Sequence, residues 1–122
     1  MSAPYTVNFL KVRNNVDFYR TFTIKSKASA EATPVAVDLS SATLFMKWKP
    51  ALGGAAVVSL AVGTGITKLD AAAGKISVLI DSEDMKEISA GKYKYDLVMV
   101  RSGLSETIME GYVKVVDGVT AL

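Results

Sequence analysis

The sequence predicts an all-β protein folded as an antiparallel sandwich, and three observations carry that prediction. Residues 91–100 alternate with period two: Tyr93, Tyr95, Leu97 and Met99 share one face, while Lys94, Asp96, Val98 and Val100 share the other. That is the pattern of a half-buried strand. The segments 17–24 and 43–49 repeat the alternation and are rich in β-branched and aromatic residues, which suit a pleated, half-buried surface. Turn signals such as Asn14-Asn15, Gly53-Gly54 and Gly74 separate the apolar segments, and a helical period of 3.6 is held only briefly, after residue 81.

The chain has 122 residues, which predicts one domain spanning 1–122. Half of the residues are hydrophobic and 21% are charged, so a single core is feasible. Cysteine and histidine are both absent. Without cysteine there is neither a disulfide framework nor a thiolate metal site. Without histidine the commonest general base and metal ligand is missing, and Ser-His-Asp and Cys-His arrangements are impossible. The first residues, Met1-Ser2-Ala3-Pro4-Tyr5, carry no basic region followed by an apolar run, so no signal peptide is expected. No apolar run is long enough for a membrane-spanning helix. Net charge is +2. Residues 1–49 hold seven Lys/Arg against three acids, an excess weaker than nucleic-acid binders show, so no nucleic-acid or membrane partner is expected.

Residues 5–12 read as a first strand with Val7, Phe9 and Lys11 on one face. Asn14-Asn15 predicts a turn, since both side chains tolerate left-handed backbone. In the strand 17–24, Phe18, Arg20, Phe22 and Ile24 share a face. The long Arg20 stem is expected to pack while its head reaches the sheet edge. Residues 25–33 are small and polar, Pro34 closes them, and 35–39 reads as a short strand. In the strand 43–49, Leu44, Met46 and Trp48 face the core, and Phe45, Lys47 and Lys49 face away. Pro50 ends it. Residues 57–62 predict the return strand, followed by strands at 66–69 and 75–80 with a turn at 70–74. Acids at Asp81, Glu83 and Asp84, with Met85 and Ile88 three apart, predict one short helix near residues 82–89. After the strand 91–100, a turn at 101–106 leads to a final strand, 107–116. Several short strands broken by turns, with one brief crossover helix, match an immunoglobulin-like antiparallel β-sandwich.

Catalytic and cofactor chemistry finds no foothold in the residues. Gly63-Thr64-Gly65 is followed by a strand, whereas a phosphate loop needs a helix, so it reads as a plain turn. Asp81, Glu83 and Asp84 lack the spacing of a calcium loop and suit a helix N-terminus. Trp48 alternates away from Lys47 and Lys49, so the three form no basic-aromatic platform. Tyr93 and Tyr95 are in phase with Leu97 and Met99, which makes them core and not a sugar-stacking surface. No catalytic, cofactor-binding or metal-ligating residues are therefore assigned. One feature departs from a plain solvated sheet. The face opposite the core carries Val98, Val100, Ile108, Tyr112 and Val116 among Lys94, Asp96, Glu110 and Lys114. A face open to water is normally more polar, and apolar patches of this kind mark interaction surfaces.

The motifs Asp17-x-x-Arg20-x-Phe22-Thr23-Ile24, Val37-Asp38-Leu39-Ser40-x-Ala42-Thr43 and Leu69-Asp70 with Gly74-Lys75-Ile76 occur in that order. They are followed by Ala90-Gly91-x-Tyr93-x-Tyr95-Asp96-Leu97, Glu110-Gly111-Tyr112-Val113-x-Val115 and Val119-Thr120. Together, over residues 7–120, they resemble the short immunoglobulin-like structural domains of phage virions, in particular the N-terminal domain of the phage baseplate upper protein family. Asn14-Asn15-Val16-Asp17 stands where such domains often have a Gly-Asp turn, and the chain ends just after the domain, with no receptor-binding or fibre extension expected. The resemblance implies a non-enzymatic component of a tailed bacteriophage particle, in tail, baseplate, neck or capsid exterior. It would be made in the host cytoplasm and be present as a symmetric homo-oligomer or in many copies beside other virion structural proteins. The competing expectation is a carbohydrate- or host-surface-binding module, with Tyr19 or Tyr112 as its aromatic platform. The loops at 25–33 and 52–56 are expected to join the contact surface.

Overall fold

Successive side chains on a strand point to opposite faces, so a strand with one apolar side buries that side and leaves the other to solvent. The computed structural model describes residues 5–26 and 33–120. Its strands are β1 (Tyr5–Thr6), β2 (Phe9–Arg13), β3 (Phe18–Thr23), β4 (Lys25–Ser26), β5 (Val35–Ala36), β6 (Thr43–Pro50), β7 (Val58–Val62), β8 (Gly65–Asp70), β9 (Lys75–Ile80), β10 (Gly91–Arg101) and β11 (Leu104–Val116). A 3-10 turn, Ala71–Ala73, links β8 to β9, and one helical turn, α1 (Ser82–Met85), crosses from β9 to β10.

Hydrogen bonds run through a nine-stranded sheet in the order β1-β11-β10-β6-β7-β8-β9-β3, with β2 also on β11, while β4 and β5 form a separate ribbon. The change of layer falls at β7, which pairs antiparallel with β6 over 45–48 but holds β8 only through Ala61–Gly65 and Val62–Ile66. The strands β3, β9 and β8 make one layer; β6, β10, β11 and β2 make the other. Aromatic rings join the layers: Phe18 of β3 meets Trp48 of β6 edge-on at 5.1 Å, and Phe9 of β2 meets Phe18 at 5.4 Å. The all-β sandwich is of immunoglobulin-like topology, with β3-β9-β8 against β6-β10-β11 and a crossover between the two layers at α1.

The crossover is locally determined. Asp81 caps α1 by accepting from the Asp84 N–H at 3.1 Å, and Asp17 accepts from the Ser82 N–H at 2.7 Å. Carboxylates satisfy free N–H groups at a helix start. Met85 and Ile88 are buried beneath it. Tyr93 Oη then donates to the Ser89 carbonyl at 2.6 Å, a tyrosine corner that fixes where β10 begins. The seam between β2 and β3, which do not pair, is closed by side chains. The Arg20 guanidinium lies 4.6 Å from the Phe18 ring centroid and 5.7 Å from that of Phe9, so the charged head itself covers the rings, where the sequence predicts that the stem packs and the head reaches the sheet edge.

Several boundaries differ from the sequence expectation, each for a specific reason. The first strand is split at Val7-Asn8. The Asn8 Oδ1 accepts the Tyr112 N–H at 3.0 Å, and the Val7 carbonyl accepts from Tyr95 Oη at 2.6 Å. The short strand 35–39 shrinks to β5, because Leu39 turns into the core while its N–H bonds the Ala71 carbonyl at 2.8 Å. The helix near 82–89 keeps one α turn and continues to Ile88 by shorter-range bonds. The turn at 101–106 contracts to Ser102-Gly103, at φ 54 and 77, with Arg101 paired to Leu104. Two consecutive positive φ values match the twist of the flanking strands. Most of the polar segment 25–33 lies outside the described residues.

Two predictions follow from this packing. Gly111 stands opposite Tyr95, and a Cβ there would overlap the Val7 carbonyl. Gly111→Ala is expected to lower stability by about 1–3 kcal/mol in denaturant titrations. Burial raises the Tyr95 phenol above its ordinary value of 10.0, so the folded state favours the neutral form. That contribution is intact below about pH 10 and lost as pH rises further, because the unfolded chain ionises first. The denaturation midpoint should therefore fall above about pH 10, and less steeply in Tyr95→Phe, which also forfeits about 1 kcal/mol of hydrogen bonding.

Candidate functional site

The inward phase of β6, β10 and β11 fixes what the same strands present outward. Leu44, Met46, Trp48, Tyr93, Tyr95, Leu97 and Met99 are all buried. The outward residues then fall into rows across the three strands: Lys49–Lys94–Tyr112, Lys47–Asp96–Glu110, Phe45–Val98–Thr107 and Thr43–Val100–Ser105. One half of this face is charged; the other is uncharged, with Phe45, Val98 and Val100 as its apolar strip between Thr43, Ser105 and Thr107.

The apolar strip is built from Phe45, 41% exposed, with Val98 beside it and Val100 one row on, both half-buried. Ala61 of β7 extends the row on the far side of Phe45. The charged half borders an open groove of about 720 Å³ lined by Lys47, Lys49, Lys94, Asp96, Glu110 and Tyr112, with the 50–53 turn at one rim. Tyr112 is 40% exposed, and Lys92 Nζ sits 4.2 Å from its ring centroid, a cation–π contact. Lys49 faces Lys94, Lys92 faces Lys114 and Asp96 faces Glu110 directly across strands. Like charges in that relation repel, and Lys47 opposite Asp96 is the one opposite-charge pair among these rows, so this half of the face keeps an excess of positive charge.

The five residues expected to form one surface do not stay together. Val98 and Val100 lie in the apolar strip and Tyr112 in the groove. Val116, half-buried, pairs with Arg13, roughly 30 Å along β11 from the Val98 row. Ile108 leaves the face altogether: it is 8% exposed and belongs to the core. The cause is a β-bulge. Leu97 pairs with Met109 and Val98 with Thr107, so Ile108 is the extra residue on β11, and a bulge turns two adjacent side chains toward one side. Phe45 belongs to the surface although it was not among the five. Its alternation with Leu44 and Met46 carried the signal.

The other motifs are absorbed by structure. Gly63-Thr64-Gly65 forms the β7–β8 turn, closed by mutual bonds between Ala61 and Thr64 at 3.0 and 2.8 Å. The loop at 52–56 is exposed, with Leu52 fully in solvent. Tyr19, 51% exposed, stands outward on β3 opposite Leu79, on the layer away from the groove. Among the described residues no helix is long and apolar enough to cross a membrane. No protein-family model matches the chain, and no curated protein matches it either.

Proposed function

We propose that the chain is a structural or adaptor component of a tailed bacteriophage particle, in tail, baseplate, neck or capsid exterior, and that it acts through protein–protein interfaces and not by catalysis. The observation that carries this reading is the Ala61–Phe45–Val98 row with Val100 beside it, an apolar strip on the outer face of a sheet layer. Such a strip gains by being covered, at roughly 25 cal/mol per Å² of apolar surface removed from water. The ordered motifs that resemble phage virion domains support a neighbour within such a particle. Multiple copies beside other virion proteins are the expected setting.

A second reading has its own support. Tyr112 is part-exposed beside Asp96 and Glu110 in the groove, and an aromatic ring flanked by carboxylates suits a carbohydrate or host-surface ligand. Lys92 already covers part of that ring, which favours the interface reading.

Two variants test the choice. Phe45→Glu combined with Val98→Lys should leave the folded state within about 1 kcal/mol of wild type, because both side chains are outward, yet the chain should vanish from purified particles analysed by mass spectrometry. A wild-type chain that is never particle-associated overturns the reading. Loss of glycan-array binding in Tyr112→Ala, with incorporation intact, establishes the second reading instead. By contrast, Ile108→Ala should cost about 2–5 kcal/mol in denaturant titrations, since the bulge has placed that side chain in the core.

A further inference from the structure

Charge is sorted to two places on this molecule. Lys47, Lys49, Lys92, Lys94 and Lys114 project from the outer face of the β6–β10–β11 layer, interleaved with Asp96 and Glu110. All seven are exposed. Among the described residues none of these five lysines is in an ion pair. The acids gather at the crossover, where the chain enters β10. Asp81, Glu83, Asp84 and Glu87 are exposed around α1. Asp17 is tied to Ser82, and Asp117 is tied to Asn14, whose amide also reaches the Ile88 carbonyl. Six carboxylates therefore share one corner. The cations nearby are Lys86, which bridges to Glu83 at 3.3 Å, and Arg13 at the end of β2.

Among the described residues the outer face holds five lysines against Asp96 and Glu110, and the corner holds six carboxylates against Lys86 and Arg13, so each patch carries an excess of the charge that the other is short of. We propose that the acidic crossover corner of one copy docks on the lysine-lined groove of a second copy. The groove, at about 720 Å³, has room for the side chains of a single helical turn. Docking there relieves the direct opposition of Lys49 and Lys94, which line the groove, while Lys92 opposite Lys114 stands one row beyond it. The contact joins two different surfaces, so it is heterologous, and repetition yields a ring or an open filament unless two copies exchange both contacts at once. This inference rests on the assembly-component reading and names the partner for its charged half.

Sedimentation velocity on the purified chain tests it. Assembly is expected at about 50 mM salt, with the dissociation constant weakened about tenfold or more at about 500 mM, because exposed charges are screened. Lys49→Glu with Lys94→Glu, and separately Asp84→Lys with Glu87→Lys, should each sediment as a monomer with an unchanged circular dichroism spectrum. Mixed in equal amounts the two variants should assemble again, because each then supplies the charge that the other reversed. A wild-type chain that is monomeric at about 100 µM in low salt overturns the proposal. So does a mixture that stays monomeric, or variants that assemble like wild type. Binding of a soluble polyanion such as heparin by a chain that never self-associates overturns it in favour of another acidic partner. A monomer that still enters particles sinks the copy-to-copy contact alone; an oligomer never found in particles sinks the virion reading alone.

Discussion

The sandwich depends on a knot of aromatic rings between its layers. Phe9, Phe18, Trp48 and Tyr95 come from β2, β3, β6 and β10, with centroid separations of 5.1–5.4 Å. The chain has no cysteine, so nothing covalent joins β3 to β10. In antibody domains the bridging cysteine of the equivalent strand lies two residues after the corner tyrosine. Here Tyr95 stands two residues after Tyr93, which makes the corner bond to Ser89, and Phe18 reaches across from β3 to Trp48. Each such ring pair contributes roughly 0.5–1.5 kcal/mol beyond its burial, so the cluster takes the place that a single cross-link holds elsewhere. Arg20 seals its open side with its guanidinium, where the sheet has no hydrogen bonds between β2 and β3.

Fixing the inward phase of three long strands also fixes their outward phase. Trp48, Tyr95 and Met109 point into the core, so Lys47, Asp96 and Glu110 must point out. The surface pattern is therefore a by-product of the core until a strand changes phase. The bulge at Ile108 is that change, and it divides β11 into a stretch that serves the groove and a stretch that backs the apolar strip. Gly111 is its counterpart on the inner side. Lacking a Cβ, it lets the Val7 carbonyl approach closely enough to take the Tyr95 hydroxyl.

Most of the fold was legible because period-two alternation is a local signal. The strands at 17–24, 43–49, 75–80 and 91–100 were readable from Phe18 and Ile24, Leu44 and Trp48, Ile76 and Ile80, and Tyr93 and Met99. What escaped depends on side chains distant in sequence. The break at Val7-Asn8 exists because Tyr95 and Tyr112 draw on those two residues. The bulge at Ile108 is set by register against Leu97 and Val98, and no local pattern announces it. The surface was half legible for the same reason. Val98, Val100 and Tyr112 were placed correctly on the outer face by alternation, whereas Ile108 was misplaced by the assumption that alternation continues unbroken. The gathering of Asp17, Asp81 and Asp117 at one corner was invisible to any window shorter than the whole chain.

The parallel pairing of β2 with β11 has a consequence for how the molecule comes into being. Val12 and Val115 are register partners from opposite ends of the described chain, and Asn15 reaches the Thr120 carbonyl at 2.8 Å. During synthesis Phe9 and Val12 emerge about a hundred residues before the strand that they pair with. Until β11 arrives, β10 presents an unpaired edge, and the aromatic cluster lacks its lid. Long-range closure of this kind slows folding and leaves the incomplete domain prone to pairing with other chains. β11 is thus the strand whose arrival closes the sheet edge and completes the sandwich.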